Sequence, residues 1–286
     1  MHKAVLEIIK AKKAITEWKE GLGDPFKNEG LIRVFYGEPS TGLMDIVAVD
    51  NRKDLIMELA RIEQHSCFKF ITGTTGRLLV TYARETMAQE ALKLNCEWML
   101  FIDDDMIVPT GMFTELMKHA DEADIIAPLC FQRVAPYKPV IYKAILEKTV
   151  DGGIFIKEID NVLDYPINSK GYFDAVGFGV VLIKTEIFKK MQAPWFFSNT
   201  MLGEDIYFCM RAKDMGYKIL VDTRIKVGHL ALPRAITELD FLKANQEKLK
   251  EVRKDELDDL KEFEKKEGDL VDIEIVKNVG VNCVLE

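Results

Sequence analysis

The stretch WMLFIDDDMIVP, Trp98 to Pro109, joins a short unbroken apolar run to Asp103, Asp104 and Asp105. A run of this length, rich in aromatic and branched residues, predicts a buried strand. Three adjacent carboxylates repel one another unless water or a cation relieves them. On a strand-to-loop turn, Asp103 and Asp105 can face one cation while Asp104 turns away, and such oxygen ligands suit Mg2+ or Mn2+. Taken alone, the cluster reads as a solvated acidic turn. Its neighbours in sequence decide otherwise.

Working outward, LIRVFYG, CFKFITG, WMLFI and ADIIAPLC are strand candidates. EPSTG is read as a loop and GTTG as the close of the second strand. Between them, LMDIVAVDNRKDLIMELARIEQ has helical apolar spacing in its second half, RLLVTYARETMAQEALKLN carries it throughout, and PTGMFTELMKHADEA predicts a helix with Pro109 near its start. Strands alternating with helices predict a largely parallel α/β sheet, in which ligands bind outside the carboxyl ends of the strands. Asp103 to Asp105 stand at such an end. Beyond Cys130, VIYKAIL and GGIFIKEI read as a hairpin and YFDAVGFGVVLI as one Gly-spaced strand. EDIYFCMRAKDMG predicts a helix, and KILVDTRIKVGHL a strand and its exit.

The bulk properties fit a globular chain of 286 residues, 48% hydrophobic and 30% charged. A net charge of −8 argues against a broad nucleic-acid-binding face. Five scattered cysteines without a CxxC pair point to free thiols in a reducing compartment rather than a disulfide framework or zinc site. The N-terminus lacks the apolar core of a signal peptide, and no run is long enough to span a membrane, so a cytoplasmic location is expected. Ala4, Ile8, Ala11 and Ile15 recur at helical spacing, predicting a docked helix in an extension over residues 1–30. The catalytic domain is expected over 31–235. Residues 236–286 form a charged helical appendage with a strand-like end. Its 237–268 segment is a solvated face or, with imperfect heptads, a self-association surface.

Downstream, Gly203-Glu204-Asp205 opens the helix that carries Arg211, and Gly228-His229 ends the following strand. Each has an ordinary explanation, acidic residues favouring a helix start and histidine being a common polar residue. In this order, however, MLFIDDDMIVP, DAVGFGVVLIKTEIF and GEDIYFCMRAKDMGYKILVDTRIKVGHL resemble nucleotide-sugar glycosyltransferases of the GT-A fold, closest to the family 2-like group. Pro39-Ser40-Thr41-Gly42 and the TYARETMAQEAL helix share the likeness, which covers residues 31–232.

The resemblance implies a metal-dependent transfer of a sugar from a nucleoside-diphosphate donor to an acceptor hydroxyl, with Mn2+ or Mg2+ as cofactor. It implies Asp105 as a direct metal ligand, Asp103 bridging metal and donor ribose, and His229 as the third protein ligand. Pro39, Ser40, Arg84 and Asp104 are the further donor-binding positions. Asp205 is implied as general base if the reaction inverts, oriented by Glu204 or Arg211, with Gly177-Phe178-Gly179 near the acceptor. The family's ARN is Ala83-Arg84-Glu85 here, and no nucleobase-binding acid stands at the second strand, so base, sugar and acceptor stay open. Trp195-Phe196-Phe197 and Tyr172-Phe173 suit either a sugar platform or core packing. Arg133, Tyr137 and Lys138 are read as part of a solvated loop rather than a donor contact. The alternatives are a GT-A-like binding protein without turnover and a haloacid-dehalogenase-type phosphatase with Asp103 as nucleophile. A sugar-phosphate nucleotidyltransferase is the nearer neighbour in chemistry, but its Gly-rich N-terminal loop is missing.

Overall fold

The computed structural model of the chain describes residues 30–40, 42–148, 154–199, 202–231 and 234–249. The expected N-terminal helix, the appendage beyond residue 249 and its strand-like end lie outside these residues.

Strand β1 (Ile32–Ser40), helix α1 (Ile46–His65), β2 (Phe68–Gly76), α2 (Val80–Lys93) and β3 (Trp98–Ile102) form the first half. A two-residue β4 (Met106–Ile107), α3 (Met112–Met117) and β5 (Ile125–Leu129) follow. The hairpin β6 (Ile141–Lys148) and β7 (Ile154–Asn161) leads to β8 (Lys170–Phe173), β9 (Ala175–Val176) and β10 (Val180–Lys184). Then come α4 (Glu186–Lys190), α5 (Glu204–Asp214), β11 (Ile219–Lys226), β12 (Gly228–Ala231), β13 (Arg234–Ile236), α6 (Glu238–Ala244) and α7 (Gln246–Leu249).

The seven-stranded sheet runs β2-β1-β3-β10-β5-β11-β8. β2, β1, β3, β5 and β11 share one direction; β10 and β8 run against it. This is the mixed, largely parallel α/β sheet that the alternating pattern implies. Side chains alternate across the pleat as strand geometry requires. Phe35, Met99, Phe101, Val181 and Ile183 face α2 and α5, whereas Val34, Tyr36, Leu100, Ile102 and Leu182 face α1 and α3. Every residue of WMLFI is buried because β3 lies mid-sheet with both faces covered.

Four expectations change. Glu38–Ser40, read as the start of a loop, extend β1 in register with Thr74–Gly76 at the end of β2. Helix α1 starts at Ile46, capped by Asp45 through Val47 N at 2.8 Å. Its first turn was not legible because Ile46 and Val47 are exposed and carry no core periodicity. The helix expected from Pro109 is only six residues, since Gly111 adopts a left-handed φ of 83° at its start. Beyond Met117 it tightens into i-to-i+3 turns. YFDAVGFGVVLI is three strands, not one. Asp174 leaves the ladder to accept from Ala144 N at 2.8 Å, and Gly177–Gly179 turn the chain towards the carboxyl edge.

The helix α5 is anchored by its aromatic face. Phe208 stacks on Phe196 at 5.1 Å and 18°, and meets Phe188 at 5.2 Å and Phe178 at 5.6 Å. Removing this ring leaves a cavity among four elements, so Phe208→Ala is expected to cost about 3–5 kcal/mol in denaturant unfolding. Phe208→Leu is expected to cost less. Equal, sub-kcal losses for both variants would show that the cluster does not hold α5.

Candidate functional site

The reversed strand β10 builds the site. Because β10 runs against β3, with Val180 opposite Ile102, its leading residues lie beside the residues that leave β3. Asp103 N donates to Gly179 O at 2.9 Å, joining the DDD turn to Gly177-Phe178-Gly179. A second, small sheet supplies the histidine. β4 pairs with β12, His229 opposite Met106, and Leu230 N donates to Asp105 O at 2.8 Å. Sequence-distant segments therefore meet at one carboxyl edge.

Arg84, from α2, is the hub. Its Nη2 donates to both Asp103 oxygens, at 2.8 and 3.1 Å, and its Nε to Glu204 Oε1 at 3.2 Å. The guanidinium lies over the Phe101 and Phe178 rings at 5.1 and 5.7 Å, and only 2% of the side chain is exposed. Burial opposes its charge, yet Asp103, Glu204 and Asp205 together hold its pKa above the ordinary value. Burial pushes the Asp103 carboxyl up to about 7; Arg84 pulls it down and Asp105 adds to the rise. Arg84 is thus a counterion for Asp103 and Glu204, while its buried Nη1 has no hydrogen-bond partner among the described residues. The nucleophile needed for the phosphatase reading carries this guanidinium on both oxygens.

The DDD turn is fixed from the other side by residues that the sequence did not flag. Arg52 Nη2 donates to Asp103 O at 2.6 Å, and its Nε to the buried Glu38 at 3.0 Å. Glu38 also accepts from the Tyr36 hydroxyl. Asn51 brackets Val108, donating to its carbonyl at 2.8 Å and accepting from its N–H at 2.9 Å. The only trace in the sequence is a polar pair, Asn51-Arg52, inside an amphipathic helix.

Asp105 faces the opening of the cluster. Its Oδ2 accepts from Arg133 Nη1 at 2.8 Å and lies 3.3 Å from His229 Nε2. His229 Nδ1 lies 2.7 Å from Phe131 O, and since a carbonyl only accepts, Nδ1 carries the proton of that bond. Nε2 and Oδ2 then confront each other as two acceptors, unless a proton or a cation stands between them. Burial opposes ionisation of Asp105, but the bond and charge of His229, with Arg133, hold its pKa below the ordinary carboxylate value. The 3.3 Å gap approaches the roughly 3.0 Å between adjacent corners of an octahedron with ~2.1 Å bonds, and the Phe131 bond is the kind that orients a metal-binding imidazole. Asp105 and His229 therefore fit a divalent cation. Asp103 does not join them: its carboxylate is turned to Arg84, and among the described residues no three His, Cys, Asp or Glu side chains converge on one cation.

Asp205 lies against the glycine segment. A Cβ placed on Gly177 would come 3.6 Å from Asp205 Oδ2 and 2.9 Å from Val140. Burial pushes the Asp205 carboxyl up to about 6, with Glu204 adding to the rise and Ile206 N opposing it. Glu204, its neighbour, is held by Arg84. Arg211 is not brought to the cluster: its guanidinium donates to Pro194 O and Gln192 O, both at 2.6 Å, and rests on Tyr207. Helix pitch carries it away from the first turn of α5. Pro39 and Ser40 end β1 at the same edge, where the Ser40 hydroxyl accepts from Gly42 N at 3.0 Å. Asp104 is half-buried on the turn itself. Trp195 and Phe196 are core residues, their N–H groups held by Glu85 at 2.9 and 3.1 Å; this is the residue standing in place of the expected asparagine. Of that group Phe197, about half exposed and 5.6 Å from Tyr207, still faces outward.

No family model and no curated protein matches the chain. Among solved structures it is similar to A197 from STIV, with 17% identity and a TM-score of 0.48 over 72% of this chain and 90% of that one. It is also similar to GalNAc-T7 with UDP, GalNAc and Mn2+, with 13% identity and a TM-score of 0.41 over 77% of this chain and 48% of that one. A Drosophila beta-1,4-galactosyltransferase 7 mutant with manganese, UDP-Gal and xylobiose overlaps at 12% identity and a TM-score of 0.37, over 67% and 65%. Likenesses of this size assign no activity.

Removing the hub isolates its two carboxylates. Arg84→Leu is expected to lower the unfolding free energy by about 1–3 kcal/mol, because it leaves the half-buried Asp103 and Glu204 carboxylates without their shared guanidinium. Arg84→Lys is expected to fall between, having charge without the fork. Chemical denaturation checks this, and a loss below about 1 kcal/mol for Arg84→Leu would place the hub outside the folded core's needs.

Proposed function

We propose that the chain is a metal-dependent glycosyltransferase that moves a sugar from a nucleoside-diphosphate donor to an acceptor hydroxyl. The observation that carries it is the pair of Asp105 Oδ2 and His229 Nε2, 3.3 Å apart beside the carboxyl edge of the sheet, with the imidazole oriented through Nδ1 on Phe131 O. Mn2+ or Mg2+ held there would supply Lewis-acid stabilisation of the diphosphate as it leaves. Asp105 and His229 hold that position, and Asp104, Pro39 and Ser40 border the donor side. Asp103 acts at one remove: tied to Arg84, it fixes the turn on which Asp105 rides, in place of the bridging role that the resemblance implies.

Asp205 takes the acceptor proton in this scheme. It stands beside Gly177, whose bare backbone packs against Val140 and the Asp205 carboxylate, and its neighbour Glu204 is held by Arg84. A carboxyl near 6 is mostly ionised at neutral pH yet basic enough to accept a proton in the transition state. The base role applies to an inverting transfer. Donor base, sugar and acceptor are set by contacts beyond these residues.

The pH dependence follows. Because only the ionised form accepts a proton, kcat/KM for transfer is expected to fall tenfold per pH unit below about 6 and to level above it. Asp205→Asn is expected to remove that limb and cut transfer by roughly 10²–10⁴-fold, leaving nucleotide affinity in place. A panel of nucleoside-diphosphate sugars assayed between pH 5 and 8 checks both (roughly the range that brackets the carboxyl). Wild-type-like transfer by Asp205→Asn would remove this residue from the chemistry.

A further inference from the structure

Asp105 Oδ2 carries a partner that the transfer scheme leaves unused. Arg133 Nη1 donates to it at 2.8 Å from the loop after β5, in a single-point contact with 54% of the arginine side chain exposed. The loop is braced while the side chain is not. A bridge between Phe131 and Pro139 closes its base, Gln132 N donates to Lys138 O at 2.9 Å, and Asn245 donates to Pro136 O at 2.8 Å. Phe131, at that base, is also the residue whose carbonyl fixes His229. One braced loop therefore sets both groups that converge on the same carboxylate oxygen.

We infer that Arg133 is a displaceable counterion, capping Asp105 while the crevice is empty and passing to the donor diphosphate when cation and nucleotide enter. This deepens the glycosyltransferase reading and rests on it. A divalent cation arriving at Asp105 places a second positive charge against the oxygen that Arg133 already holds, so the two oppose each other. An exposed one-point pair is weak enough to give way. A long arginine with its root fixed re-aims its fork at the nearest anion, and phosphate oxygens match that fork better than one carboxylate oxygen does. Metal alone is thus resisted, and metal with diphosphate is favoured. By linkage, that is a positive coupling between the two ligands, with Arg133 as a positioning residue.

The test is calorimetric titration of the full chain with Mn2+ alone, with UDP alone, and with UDP at saturating Mn2+, for wild type, Arg133→Gln, Arg133→Lys and Asp105→Ala. Arg133→Gln is expected to bind Mn2+ alone roughly two- to fivefold more tightly, the size of an exposed pair. With Mn2+ saturating, the same variant is expected to bind UDP at least roughly tenfold more weakly, the size of a lost charge-assisted hydrogen bond. Arg133→Lys is expected to keep part of the coupling. If Arg133→Gln keeps the wild-type coupling within about twofold while Mn2+ binding still depends on Asp105, the inference fails and the metal site stands. If wild type and Asp105→Ala bind Mn2+ alike, both fail together.

Discussion

Arg84 is fully buried, yet it carries a full positive charge that Asp103 and Glu204 match through three hydrogen bonds. A buried cation is tolerable only where anions and acceptors are set around it, so its position constrains everything nearby. It links α2 to the turn after β3 and to the first residue of α5, and it is flanked by Phe101 from β3 and Phe178 from the glycine segment. With Arg52 gripping the Asp103 carbonyl from α1, the DDD turn is held from both faces of the sheet. Asp105 is left on the other side of this braced turn, 3.3 Å from His229.

The division of labour among the acids follows from that hub. Asp103 and Glu204, both half-buried, are engaged by Arg84. Asp105 and Asp205 are left at the crevice, in different surroundings: basic partners hold Asp105 below the ordinary carboxylate range, whereas burial lifts Asp205 to about 6. Under the proposed function, one is fit to stay ionised beneath a cation and the other to exchange a proton. Opposed environments of this kind commonly separate the roles of neighbouring carboxylates. The reversed β10 is what permits both, because it delivers Gly177–Gly179 to the carboxyl edge with no side chain at either glycine. A Cβ on Gly179 would press to 3.0 Å on Met106, the residue paired with His229.

Much of this was legible before any coordinates. The burial of WMLFI, the strand–helix alternation and the placing of DDD at the carboxyl edge follow from apolar runs, turn residues and the geometry of parallel sheets, whereas GED and GH join it only through the family resemblance. Less legible were features set by contacts between distant segments. The resemblance implies Arg84 as a donor contact, and the residue's ties to two aromatic faces and two carboxylates were not legible in the sequence. Arg211 follows Asp205 closely in sequence but is carried away by helix pitch to two loop carbonyls. Glu85 broke an expected motif, and its carboxylate turned out to hold the Trp195–Phe196 backbone. Arg52 gave no signal, lying among ordinary helix polars, and Arg133 sits in a loop that reads as solvated rather than as a donor contact.

The most direct test of the central claim is titration of UDP and GDP into the purified chain, with Mn2+ and with chelator, on wild type and Asp105→Ala. The account predicts nucleotide binding that requires the metal and is lost in Asp105→Ala, while the variant keeps its wild-type melting behaviour. Binding that ignores both chelator and substitution would contradict a cation held by Asp105 and His229, and with it the assignment of this edge as a donor site.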